Sequence, residues 1–187
     1  MRIFNIVKES IVDGPGLRTT IFFQGCTHGC LGCHNPESHD FNGGEEYSLD
    51  ELIAIIESDK LSTGLTFSGG DPLDQFRSTQ TGVDLSILAL TFKERGRNVG
   101  LYTGYTLDQV KEILEPGKIS QTALFAALDW VVTEPFIESK RSIECAFRGS
   151  TNQRVYRPEV IPPGLRKMTD PGPTFIDITE QWDKGIF

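Results

Sequence analysis

The chain has 187 residues, 38% of them apolar, 10% aromatic and 24% charged, the make-up of one globular domain with a real core. Its formal net charge is −8, which argues against broad nucleic-acid binding, because that depends on a basic surface neutralising phosphates. No apolar run approaches the roughly 20 residues that span a bilayer, and the opening MRIFNIVKES lacks the long apolar core of a secretion signal. A cytoplasmic protein with no membrane and no nucleic-acid partner is therefore expected.

The elements follow in chain order. LRTTIFFQG (17–25), rich in Thr, Ile and Phe, predicts a strand. It runs directly into a cysteine-rich loop that continues through DFNGGEEY (40–47). SLDELIAIIESD (48–59) opens with a capping box, Ser48 and Glu51, and Leu49, Leu52, Ile53 and Ile56 mark one helical face. GLTFSGG (64–70) is a short strand ending in glycines, and a helical pattern follows around 85–96. NVGLYTG (98–104) predicts a third strand. TLDQVKEILEPG (106–117) repeats the capping box with Thr106 and Gln109, with Pro116-Gly117 as its stop. TALFAAL (122–128) continues as helix and DWVVTEPF (129–136) predicts a fourth strand. ECAFRGSTNQRVYRPEV (144–160) holds a turn and a strand, and the Pro/Gly-rich 161–175 reads as irregular.

Strands alternating with helices imply βαβ units and a mostly parallel sheet with right-handed crossovers. A closed (β/α)8 barrel takes about 250 residues, and only four clear β/α steps are visible here, five to six in all. The expected fold is α/β: an incomplete (β/α) barrel, one domain over 1–187, with an open mouth at the carboxyl ends of its strands. Ligands of such sheets gather at that end. The cysteine loop, SGGDP (68–72) and YTGYT (102–106) all follow predicted strands and so face it together.

Three of the four cysteines, Cys26, Cys30 and Cys33, fall in a C-x3-C-x2-C spacing, and Cys145 stands far away. In a reducing compartment such a cluster points to metal or redox chemistry rather than disulfides. A structural zinc site closes with four ligands, and His28 or His34 could supply the fourth. A [4Fe–4S] cluster normally takes four thiolates, so three would leave one iron open to a bound substrate. Spacing alone leaves both readings standing. Cys145 reads as a small buried apolar side chain. In SGGDPL (68–73), Gly69 and Gly70 allow a ligand to approach a strand end closely, and Asp71 adds a carboxylate able to orient an ammonium; taken alone, such a segment is more often just a turn.

Together the two motifs resemble the radical S-adenosylmethionine (SAM) superfamily. The resemblance implies a [4Fe–4S] cluster on Cys26, Cys30 and Cys33, with its open iron chelated by the amino and carboxylate groups of SAM. An electron from the reduced cluster would split the sulfonium into methionine and a 5′-deoxyadenosyl radical. It also implies SAM contacts at Gly69, Gly70 and Asp71 for the methionyl end, and at Gly32, Cys33 and His34, the last near the adenine.

Residues 12–38, VDGPGLRTTIFFQGCTHGCLGCHNPES, further resemble the activating enzymes of glycyl-radical proteins. Two groups share this segment, the activases of anaerobic ribonucleotide reductase and of pyruvate formate-lyase. The short chain, LYTGYTLDQV (101–110) and FRGSTNQRVY (147–156) favour the first. The resemblance covers about residues 4–157 and leaves the tail, 158–187, unassigned. It implies a SAM-dependent activase that makes a glycyl radical on a partner protein, served by an electron donor such as a flavodoxin. Three other functions stay open: the pyruvate formate-lyase type, a small-molecule enzyme such as a 7-carboxy-7-deazaguanine synthase, and a non-catalytic zinc-binding module. One departure is plain. The group often reads Val-Asp-Gly-Pro-Phe after its fourth strand, and this chain has VVTEPF, so Glu134 stands where a glycine is usual. Arg148 and Arg154 could cradle an anion or flank a turn, Tyr102 and Tyr105 could pack the sheet or touch SAM, and Asp13 and Arg18 could pair across the N-terminal loop or meet the partner.

Overall fold

The computed structural model describes residues 1–114, 119–159 and 174–187. Its strands are β1 (Arg2–Ser10), β2 (Arg18–Phe23), β3 (Glu45–Glu46), β4 (Gly64–Gly69), β5 (Asn98–Tyr102), β6 (Trp130–Thr133), β7 (Arg154–Glu159) and β8 (Thr174–Asp177). Its α-helices are α1 (Leu49–Ser58), α2 (Thr79–Glu94), α3 (Leu107–Ile113), α4 (Ile119–Ala127) and α5 (Thr179–Asp183). Both expected capping boxes form, at Ser48 and at Thr106. The expected helix stop at Pro116-Gly117 and most of the expected irregular stretch, 161–173, lie outside the described residues.

The eight strands make one open sheet in the order β3-β1-β2-β4-β5-β6-β7-β8. The pairs β2–β4, β4–β5 and β5–β6 are parallel. The parallel core thus has four strands and three helical crossovers among the described residues, fewer than the five to six β/α units expected. The remaining strands are antiparallel additions, β1 and β3 on one side and β7 and β8 on the other. The pattern along the chain did not reveal β1. Its pairing with β2 slips between Ile3 and Asn5 and again between Val7 and Ser10, and Glu9 there adopts a left-handed φ of 58°. Such bulges break the alternation by which a strand is read.

The pleat of the parallel strands separates two apolar layers. Ile21, Phe23, Leu65, Phe67, Val99, Leu101 and Val131 are buried in one core with Leu52 and Ile56 of α1, Leu85 and Leu88 of α2 and Leu124 of α4. The opposite face carries Thr20, Phe22, Thr66, Ser68, Tyr102, Trp130 and Val132. Its centre is a second cluster, in which Trp130, Val132 and Val155 meet Ile178 and Trp182 from the tail. Trp182 packs against Trp130 at 5.2 Å and donates its indole N–H to the Ala146 carbonyl at 3.1 Å. Residues 174–187, left unassigned by the resemblance, therefore pack on the inner face through Ile178 and Trp182.

Arg18 lies wholly buried at the foot of that face. Its guanidinium donates to the carbonyls of Leu65, Asn98 and Pro15 and to Thr66 Oγ1. Burial lowers it to about 10. Asp13 accepts instead from Ser10 Oγ at 2.5 Å, so the expected Asp13–Arg18 pair is replaced by a cation that joins β4 and β5 through their backbones.

A similar polar clamp ties α1 to β2. The Asp59 carboxylate accepts from Thr19 Oγ1 at 2.7 Å and from Ser62 Oγ at 2.5 Å, and from the Ser62 and Glu9 N–H groups. Burial alone would raise this carboxyl; the hydrogen bonds from Ser62, Thr19 and Glu9 outweigh it and hold it at about 2, below its ordinary 3.8. A depressed carboxyl contributes stability that is present above pH 3.8 and is lost as pH falls towards about 2. Asp59→Asn should therefore lower the melting temperature at pH 7 and flatten its fall between pH 4 and pH 2, read by circular dichroism melts across that range. An unchanged pH profile would remove the clamp from the stability of the fold.

Candidate functional site

The cysteine loop leaves β2 and is pinned to its own exit. The Gly25 N–H donates to the Ser38 carbonyl at 2.7 Å, Cys26 N–H to His39 at 3.2 Å, and Gln24 Nε2 to the carbonyls of Glu37 and Asp40. Between these ties the chain turns tightly, with Cys33 N–H donating to the Cys30 carbonyl. All four cysteines are half-buried. All four line one cavity of about 560 Å³, together with Gly69 and Gly70 after β4 and Thr103 and Gly104 after β5. That size suits a small-molecule ligand. A cavity of about 580 Å³ between β1 and α1, bordered by Ile3, Ile6, Tyr47 and Ile55, holds none of these groups. Cys145 is thus no core residue, as its isolation in the chain suggested, but part of the cavity wall.

Two buried carboxylates hold the loops around this cavity. Asp71 accepts from the Leu73 N–H at 2.9 Å in its own turn, and from Thr103 Oγ1 and the Gly104 N–H in the loop after β5. It also bonds His28 Nε2 of the cysteine loop at 2.8 Å. That bond raises the imidazole above its ordinary value, outweighing the effect of burial. Asp74, one turn later in the 3₁₀ segment Pro72–Arg77, accepts from the Thr27 N–H and from Tyr105 Oη. Tyr105 in turn packs edge-on against His28 at 4.5 Å.

The site residues expected from the sequence fall into two sets. Cys26, Cys30, Cys33, His34, Gly69 and Gly70 share the cavity wall. Asp71 lies behind that wall, 1% exposed, its carboxylate committed to protein donors. Gly32, at φ 70°, faces outward, where a Cβ would meet the Glu138 carboxyl at 2.9 Å. Gly70 also serves the protein: a Cβ there would stand 2.2 Å from the Gly25 carbonyl oxygen. Its bareness lets the Asp71 N–H reach that same oxygen at 2.8 Å. Sequence reading passed over Asp74, Thr27 and Thr103. The one local signal was the Asp-x-x-Asp spacing on a single helical turn. Tyr102 lines the cavity and donates its Oη to the Phe147 carbonyl at 2.7 Å, while Tyr105 packs on His28.

The segment after β6 crosses back to the cysteine loop. Phe136 packs on His34 at 5.2 Å, so the segment meets the cysteine loop at the cavity edge. Glu134 takes the left-handed φ of 78° that a glycine would adopt freely. Its side chain accepts from the Leu107 N–H at 3.2 Å, capping the start of α3, which offsets the backbone strain. RGSTNQR forms the hydrogen-bonded turn: Gln153 Oε1 accepts from the Gly149 and Ser150 N–H groups. Arg148 is buried and Arg154 exposed, so the two do not converge.

The donor set fits a cluster: Cys26, Cys30 and Cys33 share one cavity wall. A [4Fe–4S] cluster gives each thiolate its own iron and spreads its ligands. Burial pushes the Cys26 thiol up to about 11 and raises Cys30 as well, so deprotonation would accompany metal binding.

The chain matches the family described as 4Fe-4S single cluster domain over residues 12–156. Three thiols on a ligand-sized cavity, at the strand ends of an α/β sheet within that match, define a single-cluster iron–sulfur protein. It is 31% identical over 151 residues to the anaerobic ribonucleoside-triphosphate reductase-activating protein of Vibrio cholerae serotype O1, covering 79% of this chain and 92% of that one. The namesake from Pasteurella multocida is 33% identical over 168 residues, covering 84% and 98%. The pyruvate formate-lyase-activating enzyme of Clostridium pasteurianum is 38% identical over 120 residues, 61% of this chain and 48% of that one. The chain belongs to the family of anaerobic ribonucleoside-triphosphate reductase-activating proteins, radical SAM enzymes whose cofactors are a [4Fe–4S] cluster and SAM. The family match ends before β8 and α5.

Two outcomes follow from this geometry. Gly70→Ala should drive a methyl group into the backbone just before Cys26, costing about 1–3 kcal/mol and lowering iron content after anaerobic reconstitution; full iron content would show that the loop can yield. Glu134→Ala should destabilise by about 1–3 kcal/mol through strain without a cap, whereas Glu134→Gly, which relieves the strain, should lie nearer the wild type in denaturant unfolding. Equal losses would show that the conformation carries no strain.

Proposed function

We propose that this chain makes a glycyl radical on an anaerobic ribonucleotide reductase, with Cys26, Cys30 and Cys33 as the cluster ligands and Gly69, Gly70, Cys33 and His34 around SAM. The observation that carries this reading is the convergence of three thiols and a glycine-ended strand on one cavity of an open sheet. The open sheet supports describing the fold as an incomplete barrel, one domain whose mouth admits a protein loop. No helix among the described residues is long and apolar enough to cross a membrane; a cytoplasmic location and a small electron carrier such as a flavodoxin belong to the proposal.

When bound, the cluster and SAM supply an electron and a 5′-deoxyadenosyl radical that removes hydrogen from a C–H bond. The chain's own residues do the positioning. Asp71, through His28 and Gly104, keeps the cysteine loop against the strand ends. Gly32 leaves the loop slim where it meets Glu138. His34, seated on Phe136, offers a flat face at the cavity edge. Phe22, Phe136 and Phe147 give the cavity apolar walls, which favour exclusion of water from a reactive intermediate.

The test is anaerobic reconstitution with SAM, a reductant and an anaerobic ribonucleotide reductase. The reductase should show a doublet-split organic radical by electron paramagnetic resonance, and deuterium at its glycines should appear in 5′-deoxyadenosine. A reductase whose radical-bearing glycine is replaced by Ala should give none; an equal radical from it would refute the assignment. Cys26→Ala, Cys30→Ala and Cys33→Ala should each lose the cluster, while Cys145→Ala should keep its iron. Iron loss in Cys145→Ala would make it a fourth ligand and remove the open iron.

A further inference from the structure

Resting on that reading, we propose that Arg148 binds a backbone carbonyl of the partner's glycine-bearing segment through its Nε–H. Arg148 is 8% exposed and lines the same cavity as the cysteines. Two of its three nitrogens are committed: Nη1 donates to the Gln153 carbonyl at 2.7 Å, and Nη2 pairs with Asp183 of α5. Nε is buried and has no hydrogen-bond partner among the described residues. A buried donor left unpaired is costly and rare in native proteins, and one in a cavity wall points to an acceptor that arrives with a ligand.

The position of Arg148 indicates which ligand. Cys26, Cys30 and Cys33 sit on the loop after β2, whereas Arg148 sits with Cys145 on the β6–β7 connection, which reaches the cysteine loop through Phe136 and Glu138. The charge of Arg148 is already matched by Asp183, so a neutral oxygen suffices there, as a peptide carbonyl provides. The same cavity is flanked by Val12 and Ile143, 71% and 97% exposed, apolar flanks that suit a peptide segment better than a small polar molecule. Asp183 lies in the tail beyond the family match, so the tail holds the guanidinium in place.

Arg148→Lys keeps a cation beside Asp183 and removes the Nε donor. The probe is a short fluorescent peptide spanning the radical glycine of an anaerobic ribonucleotide reductase, titrated onto cluster-reconstituted protein by anisotropy, with SAM affinity measured by equilibrium dialysis. Peptide affinity should fall about tenfold, the worth of one charge-assisted hydrogen bond, with SAM affinity unchanged. Unchanged peptide affinity overturns the inference, and loss of SAM affinity alone does so by moving the acceptor to SAM. Should the variant fail to fold, thioamide peptides with each carbonyl oxygen replaced in turn by sulfur test the wild-type protein directly. One position should weaken binding comparably, and a flat series overturns the inference. Radical formation on the intact reductase without any binding of the peptide also overturns it and leaves the function standing, whereas no radical on the reductase overturns both.

Discussion

The site depends on one buried carboxylate. Asp71 gathers donors from its own turn, from the cysteine loop and from the loop after β5. A buried carboxyl group is costly unless its oxygens are satisfied. Asp71 reaches that state only when all three loops are in place, so their arrangement is cooperative. Asp74 repeats the arrangement through Thr27 and Tyr105. The carboxylates therefore act as the frame on which the cysteines hang, and the bare Cα of Gly70 lets that frame approach the loop backbone.

Around this frame the cavity is closed by contacts instead of strands. A full barrel would surround its ligands with eight parallel strands. Here four parallel strands form the back, and the β6–β7 connection arches over to place Phe136 on His34 and Glu138 against Gly32. The arch carries a local strain at Glu134, offset by the cap on α3. Below, Trp182 and Arg148 join the tail to the inner face.

Much of this was legible from the chain alone. The alternation of strands and helices, both capping boxes, the C-x3-C-x2-C spacing and the glycine-ended second strand are local patterns, set by backbone propensity and side-chain period within a few residues. They pointed to an α/β fold and to the three thiols that line the cavity beyond the strand ends. The strand β1 escaped because two bulges disturb its period. The direction in which Asp71 points, the burial of Arg18 under β4 and β5, the place of Cys145 in the cavity wall and the closure by Trp182 were decided by tertiary structure. The partners of Asp71, Arg18 and Trp182 lie some 30 to 80 residues away along the chain. No local pattern encodes such partners, because a carboxylate or guanidinium is directed by whichever donors and acceptors the sheet order brings beside it.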